Sequence, residues 1–159
     1  MNKCKVYNFS MQEETKVTIS VNNSTNNTKV HDLKCTSDKY NWTALFSSPI
    51  ITVGASKVII VVVCKNGSVH MFSPADRGQR LFPPMQLPSP VSKLAFDTNH
   101  LAVVTSCGHL YLWSLDLPRP TIKMAKENVQ SLFENEQFVA KIVFSPSVKK
   151  CHFHNPFLL

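Results

Sequence analysis

Two stretches gather side chains that could hold a metal or attack a substrate. Cys151, His152 and His154 fall within one four-residue run. A closed zinc site takes four ligands in a tetrahedron, and no fourth candidate lies close by, so the run reads as a fraying terminus. Cys107-Gly108-His109 places a second possible nucleophile close to a base. A nucleophile needs its base within hydrogen-bond reach, and Gly108 between the two is the turn glycine of the repeat, so this triplet reads as a turn. Paired carboxylates and a phosphate-cradling glycine loop are both lacking, and four glycines and ten acidic residues leave little material to build either. The sequence therefore assigns no catalytic residue, no metal site and no cofactor, and it reads as a protein without enzymatic activity.

Charge raises a second possibility. The net charge of +7 and isoelectric point near 9.3 suit a polyanionic partner. The seventeen basic residues are scattered, however, with Arg77 and Arg80 and the pair Lys149-Lys150 as the nearest approach to clusters. Phe72 and Trp113 could serve as stacking platforms for bases, but they occupy equivalent places in a repeat, and equivalent aromatics at strand ends are what blade packing requires. A basic DNA-binding module thus remains as the alternative to a protein-interaction module.

The repeat is the dominant signal. Gly67 recurs as Gly108 and Phe72 as Trp113, a shift of 41 in each case (108 minus 67, 113 minus 72). At that shift Val62-Val63 meet Val103-Val104, His70 meets Tyr111, and Ser48-Pro49-Ile50 meet Ser89-Pro90-Val91. A period of about 41 with several short strands per unit marks propeller blades. The expected fold is all-β: incomplete WD-like β-propeller blades, each an antiparallel four-stranded repeat. A closed ring takes roughly four to eight blades, and 159 residues hold too few, so the chain is expected to be a fragment or to pair with another molecule.

Each unit can be read strand by strand. Val58–Cys64 is a continuous apolar run, as expected of a strand buried on both faces. Lys65-Asn66-Gly67 turns the chain, because Asn-Gly accepts positive backbone angles. Ser68–Phe72 then alternates. The fourth strand of this unit lies within Arg77–Leu87, where Pro83-Pro84 withhold two ladder donors and so demand a sheet edge. Along Arg80–Leu87, Leu81 and Leu87 are expected in the core, while Phe82 and Met85 are offered as partner-contact residues. Trp42–Phe46 reads as the last strand of a preceding blade of which only that end survives. The second copy spans Val91–Met124, and Leu132-Phe133 and Phe138–Phe144 read as the first two strands of a third unit with no hairpin to follow.

Three regions are expected: a flexible N-terminal segment at 1–28, which holds one possible strand at Thr15–Val21 and a tract of Asn, Ser and Thr over 22–28; a WD-like body at 29–144; and an atypical tail at 145–159. The five cysteines at 4, 35, 64, 107 and 151 are widely spaced, which suits free thiols in a reducing compartment. No run is long enough to span a membrane as a helix.

Gly78-Gln79-Arg80-Leu81-Phe82-Pro83-Pro84-Met85, followed by Ser89-Pro90-Val91, resembles the Gly-Arg-Arg-Leu-Leu-Pro-Pro-Ile segment and the Ser-Pro-Val of the HIRA histone chaperones. Cys64–Phe72, Leu110–Trp113 and Lys126–Leu132 also resemble that family's C-terminal WD-like domain. The resemblance covers about 29–144. It implies a nuclear, non-enzymatic scaffold for replication-independent chromatin assembly and transcriptional regulation or repression. The implied partners are other histone chaperone subunits and a second copy of the chain, with indirect contact to histones and DNA and with no membrane or small-molecule substrate. An unrelated WD-repeat interaction protein would share the hairpins but not the proline-rich strand.

Overall fold

The five residues Ile60-Val61-Val62-Val63-Cys64 are all buried, because their strand has neighbours on both sides within its sheet and apolar cover on both faces. The computed structural model describes residues 3–11, 15–24, 30–75, 77–97, 100–115, 121–129, 141–144 and 151–154. These fall in two compact units, Met1–Leu87 and Pro88–Leu159. All regular structure among the described residues is antiparallel β.

The first unit holds two four-stranded meanders. Strands β1 (Lys3–Met11), β2 (Thr15–Asn23), β3 (His31–Thr36) and β4 (Asn41–Phe46) pair in chain order, as do β5 (Ile50–Ala55), β6 (Ile60–Cys64), β7 (Ser68–Phe72) and β8 (Met85–Gln86). One continuous core joins the two sheets. Val17, Ile19, Val21, Leu33, Cys35, Trp42 and Phe46 of the first sheet bury against Ile50, Val53, Ile60, Val62, Cys64 and Phe72 of the second.

Register explains which residues enter that core. Ile19 lies opposite Cys35, which lies opposite Trp42, and Val21 lies opposite Leu33 and then Ala44. Because the side-chain period is two, the intervening rows of Thr18, Thr36 and Asn41 and of Ser20, Lys34 and Thr43 share the other face. Those six residues are polar and at least partly exposed.

Several expectations change here. The segment 1–28, read as flexible, contributes two strands to this sheet: β1 pairs with β2 from Lys3↔Asn23 to Met11↔Thr15, and Val17, Ile19 and Val21 are buried. The blade before Ile50 is therefore a full four-stranded sheet and not a remnant of one. Asn22 and Asn23, placed in a linker by composition, end β2. Asn22 Nδ2 donates to Asp32 Oδ1 at 3.0 Å. Asn23 Nδ2 donates to the Ile50 carbonyl at 2.7 Å, and the Ile50 amide donates back to Asn23 Oδ1 at 2.8 Å. Two hydrogen bonds from one side-chain amide thereby tie the end of β2 to the start of β5. The rest of the tract, 25–28, lies outside the described residues.

The proline-broken strand is the sheet edge that proline chemistry requires. Arg80 bridges Phe72, and β8 then pairs only as Val69↔Met85 and Ser68↔Gln86, with Pro83-Pro84 between the two contacts. Val58, read as the start of the buried run, is 46% exposed, and the strand begins at Ile60.

In the second unit β9 (Val91–Asp97), β10 (His100–Thr105), β11 (His109–Ser114) and β12 (Thr121–Asn128) form another four-stranded meander. Ala102, Val104 and Leu110 centre its core, with Ala95, Leu112 and Val129 packed around them. The repeat is carried into the ladders residue by residue. Ile60↔Phe72, Val61↔Met71 and Val62↔His70 become Leu101↔Trp113, Ala102↔Leu112 and Val103↔Tyr111, each moved by 41 (101 minus 60). Even the bulge recurs: Ile50↔Cys64 skips to Thr52↔Val63, as Val91↔Thr105 skips to Lys93↔Val104. Gly67 and Gly108 sit in the turns at φ 84° and 74°, a conformation open to glycine at little cost. Each donates its amide to the carbonyl three residues back, Cys64 or Thr105, at 3.0 Å.

The tail 145–159 was expected to lack a hairpin. Instead β13 (Lys141–Phe144) pairs with β14 (Cys151–His154), from Lys141↔His154 to Phe144↔Cys151, and β13 lies alongside β9.

Candidate functional site

Among the described residues, the groups that suggested chemistry do not assemble into a reaction centre. Cys107 is exposed in the β10–β11 turn, and His109 spends its amide on Thr105 Oγ1 at 3.2 Å, which closes the turn. Cys151, His152 and His154 lie on β14, and their side chains are outside the described residues. No cluster of three or more His, Cys, Asp or Glu suited to a metal occurs among the described residues. Phe72 and Trp113 are buried, at 2% and 4% exposure, so neither offers a face to a base. Phe72 instead meets Trp42 at 5.7 Å and Phe46 edge-on at 6.0 Å.

The two residues offered as partner contacts separate. Phe82 is buried at 8% exposure, as is Leu87, whereas Leu81 and Met85 are half-buried. Phe82 takes the core place expected of Leu81, because the proline pair breaks the alternation that would carry side-chain parity along the strand. Of the two, Met85 alone keeps substantial access to solvent.

The sequence reading missed the polar cavity beside this strand. It has a volume of about 230 Å³ and is lined by Leu45, Phe46, Ser47, Ser48, Cys64, Asn66, Ser68, His70 and Arg80. A directional chain of hydrogen bonds runs along one wall. Arg80 Nη1 lies 2.6 Å from His70 Nδ1, and a guanidinium can only donate. His70 Nδ1 is therefore the acceptor, and its proton sits on Nε2, which donates to Ser68 Oγ at 3.0 Å. Ser68 Oγ in turn donates to Asn66 Oδ1 at 2.8 Å. Burial, reinforced by the neighbouring Arg80 charge, lowers the His70 pKa to about 4, so the imidazole is neutral near pH 7.

Packing holds Arg80 in place. Its guanidinium carbon lies 5.1 Å from the centre of the Phe72 ring, a cation over an aromatic face. His70 is held from the other side by Phe46, edge-on at 5.0 Å. Burial raises the thiol pKa of Cys35 to about 11 and also raises that of Cys64. Both thiols stay protonated and poorly nucleophilic at neutral pH.

Comparison with known proteins can now be set against this geometry. Residues 78–156 match the family described as "Hira: TUP1-like enhancer of split". The stretch begins at Gly78, just ahead of the proline-broken strand, and runs through β14. The chain carries a partial HIRA domain. Protein HIRA of Xenopus laevis is 28% identical over 131 residues, which is 80% of this chain and 12% of that protein. Protein hir1 of Schizosaccharomyces pombe is 30% identical over 109 residues, which is 67% of this chain and 11% of its own length. The crystal structure of HIRA(644-1017) superposes with a TM-score of 0.69 at 21% identity, covering 96% of this chain and 52% of that one. That likeness gives the fold: the sheets are WD-like blades of an incomplete propeller. The chain spans about an eighth of the HIRA proteins it matches.

Proposed function

We propose that this chain acts as a non-enzymatic interaction scaffold within a nuclear histone chaperone complex, serving replication-independent chromatin assembly and transcriptional control. The observation that carries the reading is the HIRA-family match across the proline-broken strand and the blade that follows it. Two features of the structure support it. The thiols buried in the blades are held protonated, and the repeat aromatics are spent on blade packing. Partners would be other chaperone subunits and further copies of the chain, with histones and DNA reached indirectly. Met85, half-buried on the edge strand, is our contact residue for such a partner.

The rival reading is a direct DNA-binding module, favoured only by the net charge of +7. Salt separates the two. A module that neutralises six to ten phosphates loses about 10³–10⁵ in affinity between 50 and 200 mM salt, while a packed protein interface changes far less. Binding of the chain to duplex DNA and to purified chaperone subunits would be measured at both concentrations. We expect weak DNA binding and salt-tolerant subunit binding; tight, steeply salt-dependent DNA binding with no subunit binding would refute the scaffold.

A further inference from the structure

The wall of the cavity beside β7 is chemically one-sided. Asn66 Oδ1 accepts from the Ser68 amide at 3.1 Å as well as from Ser68 Oγ. A backbone amide can only donate, so this end of the Asn66 side chain is the oxygen and the other end is the NH2. His70 Nδ1 is occupied by Arg80. Ser48 Oγ accepts the Asn66 amide at 3.1 Å, which leaves its hydroxyl proton to point elsewhere. The Asn66 carbonyl is taken by Gln86 Nε2 at 2.7 Å. The strong acceptors on this wall are thus used internally. What remains are donors: the Asn66 NH2, the Ser47 and Ser48 hydroxyls, and the Arg80 N–H groups not directed at His70. No carboxylate is among the described lining residues.

We propose that this cavity is a recognition site for an acidic side chain, an aspartate or glutamate carboxylate reaching in from a protein partner, with Arg80 as its counter-ion. The proposal deepens the scaffold reading and rests on it. A carboxylate suits the planar guanidinium fork, which binds it through two parallel bonds. It also suits the shape. A pocket of about 230 Å³ admits a group on a slender stem, whereas a duplex phosphate is tethered on both sides and stays at the surface. Leu45, 64% exposed at the rim, offers apolar contact to the partner chain that flanks the acid. Because His70 stays neutral and accepts from Arg80, it positions the guanidinium without adding a second charge.

The test uses the whole chain and a blocked hexaglutamate peptide, followed by nuclear magnetic resonance of the Asn66 side-chain amide and the Arg80 Nε–H. Hexaglutamine, inorganic phosphate and a DNA duplex serve as comparisons. Hexaglutamate is expected to shift both signals in a saturable way, hexaglutamine to shift neither, and Arg80→Gln to weaken binding at least tenfold. Arg80→Lys, which keeps the charge but loses the fork, should fall between. Circular dichroism checks that each variant keeps the wild-type fold. Hexaglutamate without effect on Asn66, or bound equally by Arg80→Gln, would overturn the proposal. So would phosphate or DNA shifting these signals where hexaglutamate does not, since the site would then take a phosphate. The peptide is titrated against the isolated chain, so failure here leaves the scaffold reading to the subunit-binding experiment, and failure there leaves this result standing.

Discussion

Gly78→Ala should destabilise the first unit far more than a surface glycine change would. Gly78 has φ +71° and follows Arg77, itself at φ 50°. Placing an L-residue there costs about 1–2 kcal/mol in backbone strain. A Cβ added at Gly78 would also overlap the six-membered ring of Trp42, and this ring cannot move freely. Its Nε1 donates to the Pro74 carbonyl at 2.9 Å in a buried site, and its ring centre lies 5.7 Å from that of the tilted Phe72 ring. Pushing the indole aside leaves a buried donor unpaired, at about 1–3 kcal/mol, and loosens an aromatic pair worth roughly 0.5–1.5 kcal/mol. The sum is about 3 kcal/mol or more. Urea unfolding followed by far-ultraviolet circular dichroism measures it, and a cycle with Trp42→Leu, which empties the space above Gly78, isolates the steric part. The double variant should lose less stability than the two single changes added together. A Gly78→Ala protein within about 0.5 kcal/mol of wild type, or strict additivity in the cycle, would refute this account.

Stability should also rise with pH across the window set by His70, whose pKa falls from the ordinary 6.5 to about 4 in the fold. Between those values the unfolded chain binds a proton that the native state refuses, so stability is full above pH 6.5 and is lost as pH falls towards 4. The shift is worth at most roughly 3 kcal/mol, and about 1 kcal/mol once screening of this half-exposed ring is allowed for. His70→Gln should flatten that part of the urea-midpoint profile, and an unchanged slope would count against the Arg80–His70 bond. Iodoacetamide followed by peptide mass spectrometry should label Cys107 in the native chain, leaving Cys35 and Cys64 unmodified until denaturant is added; early labelling of either would contradict their burial. Phe82→Ala should cost about 3–5 kcal/mol as a buried aromatic deletion. Met85→Ala should cost clearly less while weakening subunit binding, and the reverse order would undo the assignment of both residues.

The hairpins were legible because their information is local. Asn66-Gly67 and Cys107-Gly108 state the turns, and period-two alternation on either side states the faces, so a shift of 41 predicts the ladders, including their shared bulge. The edge at Pro83-Pro84 was equally readable, since a missing donor is a property of the residue itself. What failed needed long-range pairing. Leu81 and Phe82 exchange places because parity does not propagate through two prolines between the Arg80 bridge and β8. The hydrogen-bond chain from Arg80 to Asn66 was invisible for the same reason: Asn66 lies in the β6–β7 turn and Arg80 in the β7–β8 connection, and only the folded sheet brings them to one wall. The end of β2 was hidden by composition, because Asn, Ser and Thr are the residues expected both of a linker and of a strand whose outer face meets water.

That outer face bears on how an incomplete propeller persists. A blade without a neighbour is expected to expose apolar surface and unpaired edges, and so to associate. The first sheet does not follow this on its outer side, where Thr18, Ser20, Lys34, Thr36, Asn41 and Thr43 form cross-strand rows and Asn22 is bonded to Asp32. Among the described side chains Leu45 stands out from it as a large apolar residue, at 64% exposure. The sheet thus presents polar rows on one face while burying Val17, Ile19 and Val21 on the other. A partner meeting the outer face must therefore bring polar groups for Asp32 and Lys34, whereas the edge strand with Met85 and the donor-lined cavity beside it offers mixed apolar and cationic contact. The two surfaces call for different chemistry, and the second matches a protein segment that carries an acid next to an apolar residue.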